Sequence, residues 1–173
     1  MLKKFSLIGL VLLSIIFFAA CNQVAGAENE EENNEIEHVQ LEGFVFEYRG
    51  STINLNQNMA DILANIGDPL NIHETPSCAF YGMDRIFMFP GVQFHTYPVD
   101  DNDFLQIISI WDDSITTYGG IRLGDSWDRV VELYGTNYIV EFQMRTFVLG
   151  NTTLSFFVED GVVIEIAYGL KME

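Results

Sequence analysis

Apolar residues recur at helical spacing in two segments of the chain whose patterns match without a gap at an offset of 68 residues. The segments read INLNQNMADILANIGD at 53–68 and IRLGDSWDRVVELYGT at 121–136. In each segment four apolar residues follow the spacing i, i+3, i+4, i+7, which places them on one face of a short helix. These residues are Met59, Ile62, Leu63 and Ile66 in the first segment, and Trp127, Val130, Val131 and Tyr134 in the second. The pattern predicts two short amphipathic helices.

Both predicted helices are bounded by residues that favour helix ends. Asn58 and Ser126 directly precede the apolar runs, where a side-chain oxygen can accept a hydrogen bond from a first-turn backbone N–H. Gly67 and Gly135 follow the runs, where a left-handed residue is favoured. The two segments therefore share core, cap and stop positions, while the polar positions between them differ. This duplication indicates shared architecture rather than a shared catalytic device.

The stretches after each predicted helix contain alternating apolar residues, the pattern of half-buried strands. The predicted strands are 85–89, 92–97 and 104–111 after the first helix, and 139–149, 153–158 and 162–168 after the second. Turn signals occur at Pro90-Gly91, at Asp160-Gly161 and, before the first helix, at Arg49-Gly50. We expect an α+β fold of two tandem helix-plus-antiparallel-strand units, approximately 41–112 and 113–170. Together they are predicted to form one sheet with two short helices packed on one face.

The N-terminus reads MLKKFSLIGLVLLSIIFFAAC, with two lysines followed by an apolar run of about 14 residues that ends in small residues. A membrane-spanning helix needs roughly 20, so the segment 1–20 is predicted to be an export signal peptide. Phe18-Ala19-Ala20-Cys21 resembles the lipobox of bacterial lipoproteins, with Phe18 where that family most often has leucine. The resemblance implies that the Cys21 sulfur receives diacylglycerol before cleavage, and hence a lipid anchor of the palmitate type.

Residues 21–40 follow as a predicted acidic tether. After Cys21 the stretch NQVAGAENEEENNEIEHVQ contains six glutamates, no lysine or arginine and no aromatic residue. Such a composition buries too little apolar surface to offset the entropy of ordering. We therefore expect a disordered tether between the lipid and a folded domain at 41–170.

The arrangement of motifs in the folded part resembles a known superfamily. Two tandem units, each opened by hydrophobic-x-hydrophobic-Gly-x-Ser, a short helix and glycine, resemble the β-lactamase-inhibitor-protein-like (BLIP-like) superfamily. That superfamily includes the small lipoprotein of the outer-membrane barrel assembly machinery. The motif is clear in IRLGDSWDRVVELYG and degraded in INLNQNMADILANIGDP. The resemblance covers roughly 41–170 and implies protein binding, often through a concave sheet face, but it identifies no binding residue.

The charge of the chain narrows the range of partners. The formal net charge is −17, and removing Lys3 and Lys4 with the signal peptide leaves 6 basic against 25 acidic residues, or −19. Nucleic-acid binding requires basic groups that neutralise phosphates, so no nucleic-acid partner is expected. Acidity weakly favours cationic partners, and the only membrane contact expected is through lipidated Cys21.

No residue pattern predicts catalysis, a cofactor or a structural metal site. Once Cys21 is lipidated, Cys78 has no intramolecular disulfide partner. We interpret it as a small buried hydrophobic residue, and a redox-sensitive thiol is the alternative. The three histidines have no metal-ligand spacing. Asp100-Asp101-Asn102-Asp103 offers oxygens that suit calcium but lacks the glycine and distal glutamate of an EF-hand. We interpret it as a solvated loop, and calcium binding there stays open.

Aromatic side chains crowd the first predicted set of strands. In RIFMF at 85–89, alternation places Phe87 and Phe89 on one face of the strand and Ile86 and Met88 on the other. We predict that Ile86 and Met88 pack under the helices. The other face would then either form a second small core or lie under a covering loop, or be exposed and carry the candidate protein-binding residues, because exposed apolar patches mark interaction sites. Those candidates are Phe87, Phe89, Tyr97 and Trp111.

These patterns lead to one functional hypothesis. We expect an exported protein, lipid-anchored on the outer side of a cell membrane or on an outer membrane. It is predicted to act as a non-catalytic module that binds an envelope or secreted protein. The alternatives are an accessory or inhibitor of an envelope enzyme, and a sensor of a small ligand or ion.

Overall fold

The computed structural model describes residues 43–171, which form ten β-strands and two α-helices. The order begins with β1 (Val45–Tyr48), β2 (Ser51–Asn54), α1 (Met59–Ile66), β3 (Asn71–Pro76), β4 (Met83–Phe89), β5 (Val92–Val99) and β6 (Asn102–Ile110). It continues with α2 (Trp127–Tyr134), β7 (Ile139–Glu141), β8 (Met144–Leu149), β9 (Thr152–Glu159) and β10 (Val162–Leu170). The predicted signal peptide, the acidic tether and Cys21 lie outside the described residues and stay predictions.

Eight of the strands form one antiparallel sheet in the order β3-β4-β5-β6-β10-β9-β8-β7. Strands β1 and β2 pair separately as a hairpin. Neighbours in the sheet are consecutive in sequence except at the centre, where β6 pairs with β10 over residues 107–110. The two edge strands are therefore β3 and β7. Within residues 43–171, no helix has the length and apolar character needed to cross a membrane.

The predicted α+β fold of two tandem helix-plus-strand units, with two helices packed on one face of a sheet, is wrong. The fold is mostly β, and each helix has only eight residues. Two strands were missed for separate reasons. β3 reads NIHETP, which is mostly polar and lacks alternation. The segment 139–149, predicted as one strand, folds into the hairpin β7–β8 because a turn at residues 142–143 interrupts it.

The predicted helix ends are confirmed. Asn58 Oδ1 and Ser126 Oγ each accept a hydrogen bond from a first-turn backbone N–H, at 2.9 and 3.3 Å. Gly67 and Gly135 both have φ near +81°, and each donates its N–H to a carbonyl one turn earlier. The turns at 49–50, 90–91 and 160–161 also connect strands as predicted. Local chemistry therefore determines where these elements begin and end.

One apolar core lies on a single face of the sheet, which we call the core face; the opposite side is the open face. Hairpin β1–β2 covers part of the core face through Phe46, whose ring lies 6.3 Å from that of Phe94 and 5.5 Å from that of Tyr168. The helices contribute Met59, Ile62, Ile66 and Val130 to the same core. At the start of the described chain, the Phe44 N–H donates to Thr152 Oγ1 at 2.7 Å. The entry of the chain is thus held against strand β9.

Candidate functional site

The structure places Phe87 and Phe89 on the core face of β4, where they are 4% and 0% exposed. The Phe89 ring packs edge-on against Tyr48 of hairpin β1–β2, with ring centroids 5.9 Å apart. Ile86 and Met88 lie half-buried on the open face instead. The predicted assignment of the two faces is therefore reversed. Phe87 and Phe89 are core residues and do not form a binding surface.

The other two candidate residues lie in different surroundings. Tyr97 is only 9% exposed and packs between Phe80 and Phe104, with ring centroids 5.0 and 6.2 Å away. Its hydroxyl donates to Asn56 Oδ1 at 2.6 Å. Trp111 is 54% exposed and directly follows β6. The four predicted residues therefore do not form one surface, and only Trp111 is available to a partner.

The candidate thiol and ion-binding residues are also placed. Cys78 is a free, exposed thiol, so its interpretation as a buried hydrophobic residue is wrong.

Asp100 and Asp101 form a tight turn between β5 and β6, while Asp103 lies within β6 and accepts a hydrogen bond from Arg85. Among residues 43–171, no three histidine, cysteine or carboxylate side chains converge to hold a metal ion.

Arg85 joins three strands near the β3 edge. Its Nε donates to Glu74 Oε1 on β3 at 2.5 Å, and its Nη1 donates to Asp103 Oδ2 on β6 at 2.6 Å. The hydrogen bond to Glu74 and then that to Asp103 raise the pKa of Arg85, so the guanidinium stays charged. A cleft of ≈ 290 Å³ lies beside the bridge and is also lined by Asn58 and Asp101. Because its central cation is already paired, this polar arrangement is a structural link between strands.

An aromatic cluster lies near the β7 edge, on the core face. The Trp127 ring of α2 lies 4.9 Å from that of Tyr138 and 6.2 Å from that of Phe147 on β8. The Arg145 guanidinium lies over the Trp127 ring at 4.8 Å, within cation–π distance. Trp127, which the helical spacing places on the apolar face of α2, is half-buried at the rim of the core. Packing of rings, rather than ion pairs, holds this end of the sheet.

Six large apolar side chains are exposed together on β7, on β8 and in the turn between them. They are Ile139 (55% exposed), Val140 (57%), Phe142 (100%), Met144 (43%), Val148 (44%) and Leu149 (38%). We call this group the β7–β8 surface. The strand register places Ile139, Met144 and Val148 on the open-face side, and Val140 and Leu149 on the core-face side. The β7–β8 surface therefore wraps around both sides of one sheet edge.

Phe142 is the residue of this surface whose identity is least explained by the needs of folding. It is fully exposed and has a φ of +56°, a left-handed conformation that costs an L-residue roughly 1–2 kcal/mol. Within residues 43–171, the other non-glycine residues with positive φ are all polar: Arg49, Asn56, Asp100 and Asp160. An aromatic ring here gains no burial and carries backbone strain. Strain of this kind is found at functional sites when the surroundings maintain it.

Sequence reasoning missed the β7–β8 surface because residues 139–149 were predicted as one continuous strand. The turn at Phe142-Gln143 lacks the glycine, asparagine or aspartate that usually marks a two-residue hairpin. The available signal was compositional: IVEFQM places four large apolar residues within six positions at 139–144. That density exceeds what one buried face of a strand requires.

The open face carries one histidine that is shielded from water. His95 Nε2 lies 3.5 Å from Ser109 Oγ on the neighbouring strand. Burial lowers the pKa of His95 below its usual 6.5, so the ring is neutral at pH 7. The distance permits a hydrogen bond between the ring and the serine hydroxyl across the two strands.

Comparisons with known proteins identify no family. No family model matches the chain, and no curated protein matches it. Among solved structures, the chain is similar to the crystal structure of a DUF4309 family protein, YjgB, from Bacillus subtilis. The two share 16% sequence identity and a TM-score of 0.41, over 71% of this chain and 84% of that one. The resemblance to the BLIP-like superfamily stays a prediction.

Proposed function

We propose that this chain is a lipid-anchored cell-envelope protein whose folded domain is a non-catalytic protein-binding module. The observation that supports binding is the β7–β8 surface, with a fully exposed aromatic ring in its turn. Contiguous exposed apolar side chains are costly in water and mark interaction sites in soluble domains. This surface replaces the aromatic sheet face of the sequence-based hypothesis, because Phe87 and Phe89 are buried.

The energetic centre of the proposed interface is Phe142. Large rigid rings dominate protein interfaces because they bury much apolar area and lose few rotamers on binding. The ring of Phe142 is presented at a hairpin turn, where a partner can approach it from both sides of the sheet edge. Ile139 and Val140, each more than half exposed, provide the flanking apolar contacts. A pocket on a partner protein that accepts the ring is the complementary feature.

The lipid anchor is tested separately from binding. Two acyl chains hold a protein stably at a membrane, whereas one holds it only marginally. Cys21→Ala is expected to abolish labelling by a palmitate analogue and to block normal processing of the signal peptide. Fractionation of cells should then show less of the chain in membranes. Labelling that persists in Cys21→Ala contradicts the anchor.

Binding is tested by quantitative capture of one partner from an envelope extract of the native cells, after cross-linking. Phe142→Asn removes the ring and suits a positive φ, so the fold is retained and capture is expected to fall at least ~10-fold, or about 1.4 kcal/mol. The matched control is Tyr81→Asn, because Tyr81 is also fully exposed (101%) and lies elsewhere. It is expected to capture as the wild type does.

Thermal unfolding followed by circular dichroism accompanies each variant, so that loss of fold is separated from loss of binding. Equal capture by Phe142→Asn and the wild type would refute the role of the β7–β8 surface. Equal loss in Phe142→Asn and Tyr81→Asn would show non-specific adhesion of exposed rings rather than a site.

A further inference from the structure

The backbone of β7 lies at an edge of the sheet, and two of the three residues of this strand are apolar. β7 pairs with β8 on one side, and no strand among the described residues pairs with its other side. Natural proteins protect such edges with charged side chains, proline or a covering element. β3, the opposite edge strand, carries His73 and Glu74 and ends at Pro76. β7 instead presents Ile139 and Val140, both more than half exposed.

We propose that the partner binds by strand addition: an extended, basic polypeptide segment pairs with the outer edge of β7. This inference rests on the proposed function and names the class of partner. Backbone hydrogen bonds to a sheet edge provide affinity in this mode, and alternate side chains provide specificity. Ile139 on the open-face side and Val140 on the core-face side give apolar contacts to both sets of side chains of an added strand.

The charge expected of the added segment is inferred from one row of neighbouring side chains that crosses the strands on the open face. The register places Glu141 (β7), Met144 (β8), Phe157 (β9) and Glu165 (β10) next to one another across four strands. A small depression in this row is lined by Met144, Phe157 and Glu165. Glu141 and Glu165 are both exposed. A lysine or arginine in an added strand would lie opposite Glu141, as a cross-strand pair of opposite charge.

A second copy of this chain fits the edge less well. In a two-fold antiparallel pairing of β7 with itself centred on Val140, Glu141 faces Ile139 of the other copy rather than a cation. Each copy carries a formal net charge of −17, so approach is opposed by repulsion. A basic segment of another protein meets neither obstacle.

The test uses the purified full-length chain in a neutral detergent and synthetic, fluorescent, end-capped heptapeptides. One peptide alternates lysine and valine, and a second alternates glutamate and valine. Two further lysine–valine peptides carry N-methyl groups on alternate residues, so that one of them loses the N–H groups that would pair with β7. We expect saturable binding of the lysine–valine peptide at physiological salt. One N-methylated form should bind at least ~10-fold more weakly, and hydrogen exchange should slow at residues 139–141.

A charge swap locates the contact. Glu141→Lys is expected to weaken the lysine–valine peptide at least ~5-fold and to strengthen the glutamate–valine peptide. Glu47→Lys is the matched control, because Glu47 is also an exposed strand residue but lies in hairpin β1–β2. It changes the net charge equally and should change neither affinity.

Several outcomes overturn strand addition. These are no saturable binding of the lysine–valine peptide up to ~1 mM, equal binding of both N-methylated forms, and equal effects of Glu141→Lys and Glu47→Lys. If capture of the envelope partner still depends on Phe142 in that case, the proposed function is retained and only strand addition is refuted. If peptide binding and Phe142-dependent capture are both absent, strand addition and the proposed function are refuted together.

Discussion

Strands β3 and β7 close the same sheet at opposite edges, and their exposed side chains differ in kind. All six residues of β3 are exposed; apart from Ile72 they are polar or, at the end, proline. β7 has three residues, of which Ile139 and Val140 are apolar and more than half exposed. Both edges expose backbone groups to water. The side chains of β3 are mostly polar and end in a proline, which discourages another strand from pairing, whereas β7 has one charged residue, Glu141, beside two apolar ones.

The contacts that attach the two edges to the rest of the sheet also differ, being polar at β3 and apolar at β7. At the β3 edge, the charged Arg85 is hydrogen-bonded to Glu74 and Asp103. At the β7 edge, rings of Trp127, Tyr138 and Phe147 pack under the strands. Ion pairs at a surface are directional and weakened by salt, whereas ring packing depends on buried area. The comparison shows that one sheet uses polar links where its edge is protected and apolar packing where its edge is open.

The largest effect is expected from removing a ring beneath the β7 edge. Phe147 is 4% exposed and contacts the rings of Trp127 and Phe156. Phe147→Ala leaves a cavity and should lower the free energy of unfolding by about 3–5 kcal/mol. The control Val148→Ala, at a 44% exposed neighbour, should stay within ~0.5 kcal/mol. Urea unfolding measures both, and equal values would contradict apolar packing as the support of this edge.

A smaller loss is expected from breaking the polar link at the β3 edge. Arg85→Met keeps the length of the side chain but removes both hydrogen bonds, leaving the Asp103 carboxylate, 15% exposed, without its cation. The expected cost is about 1–3 kcal/mol in urea unfolding. Glu74→Gln should cost at most ~1 kcal/mol, because Glu74 is 49% exposed and its ion pair is screened. A larger loss for Glu74→Gln than for Arg85→Met would reverse this interpretation.

A gain in stability is expected at the turn of the β7 edge. Asparagine tolerates a positive φ better than phenylalanine, and Phe142 buries no apolar area. Phe142→Asn should therefore raise the free energy of unfolding by roughly 0.5–1 kcal/mol. Gln143→Asn, at the adjacent turn residue, should give no comparable gain. Destabilisation by Phe142→Asn would show that the ring supports the fold.

The smallest effect is expected on the pH dependence of stability, and it arises in the half of the sheet that ends at β3. Because burial lowers the pKa of His95 below 6.5, the unfolded chain binds its proton at a higher pH than the folded one does. The contribution of His95 is therefore present above pH 6.5 and is lost as the pH falls below that value. His95→Gln should reduce the fall in unfolding free energy between about pH 7.5 and 5. Gln93→Ala, on the same strand, should keep the wild-type slope; an unchanged slope in His95→Gln would contradict this assignment.

The elements that the sequence predicted well are those specified by local chemistry. Asn58, Ser126, Gly67 and Gly135 bound helices through side-chain oxygens and left-handed backbone, and these contacts span only a few residues. The glycine-containing turns were predictable for the same reason. β3 and the turn at Phe142 were missed because their residues carry no such local signal.

The candidate site depended on packing between distant segments, which periodicity does not contain. In RIFMF both sides of the strand are apolar, so alternation alone could not decide which side faces the core. Contacts from Tyr48, about forty residues earlier in the chain, place Phe89 inside. The exposure of Phe142 likewise depends on which strands surround β8. Sequence alone placed its aromatic candidates Phe87 and Phe89 on β4, where they are buried, and did not identify the exposed Phe142.

The hydrogen bond from the Phe44 N–H to Thr152 Oγ1 connects the N-terminal entry of the domain mechanically to strand β9. Thr152 pairs with Leu149 of β8, and β8 pairs with β7. One path for a pulling force between the N-terminal entry and a partner at the proposed β7 site therefore runs through β9 and β8. A second path enters β4 and β5 through β1, because Tyr48 packs on Phe89 and Phe46 packs on Phe94. A pull between the proposed tether and the proposed partner would therefore load strands in both halves of the sheet.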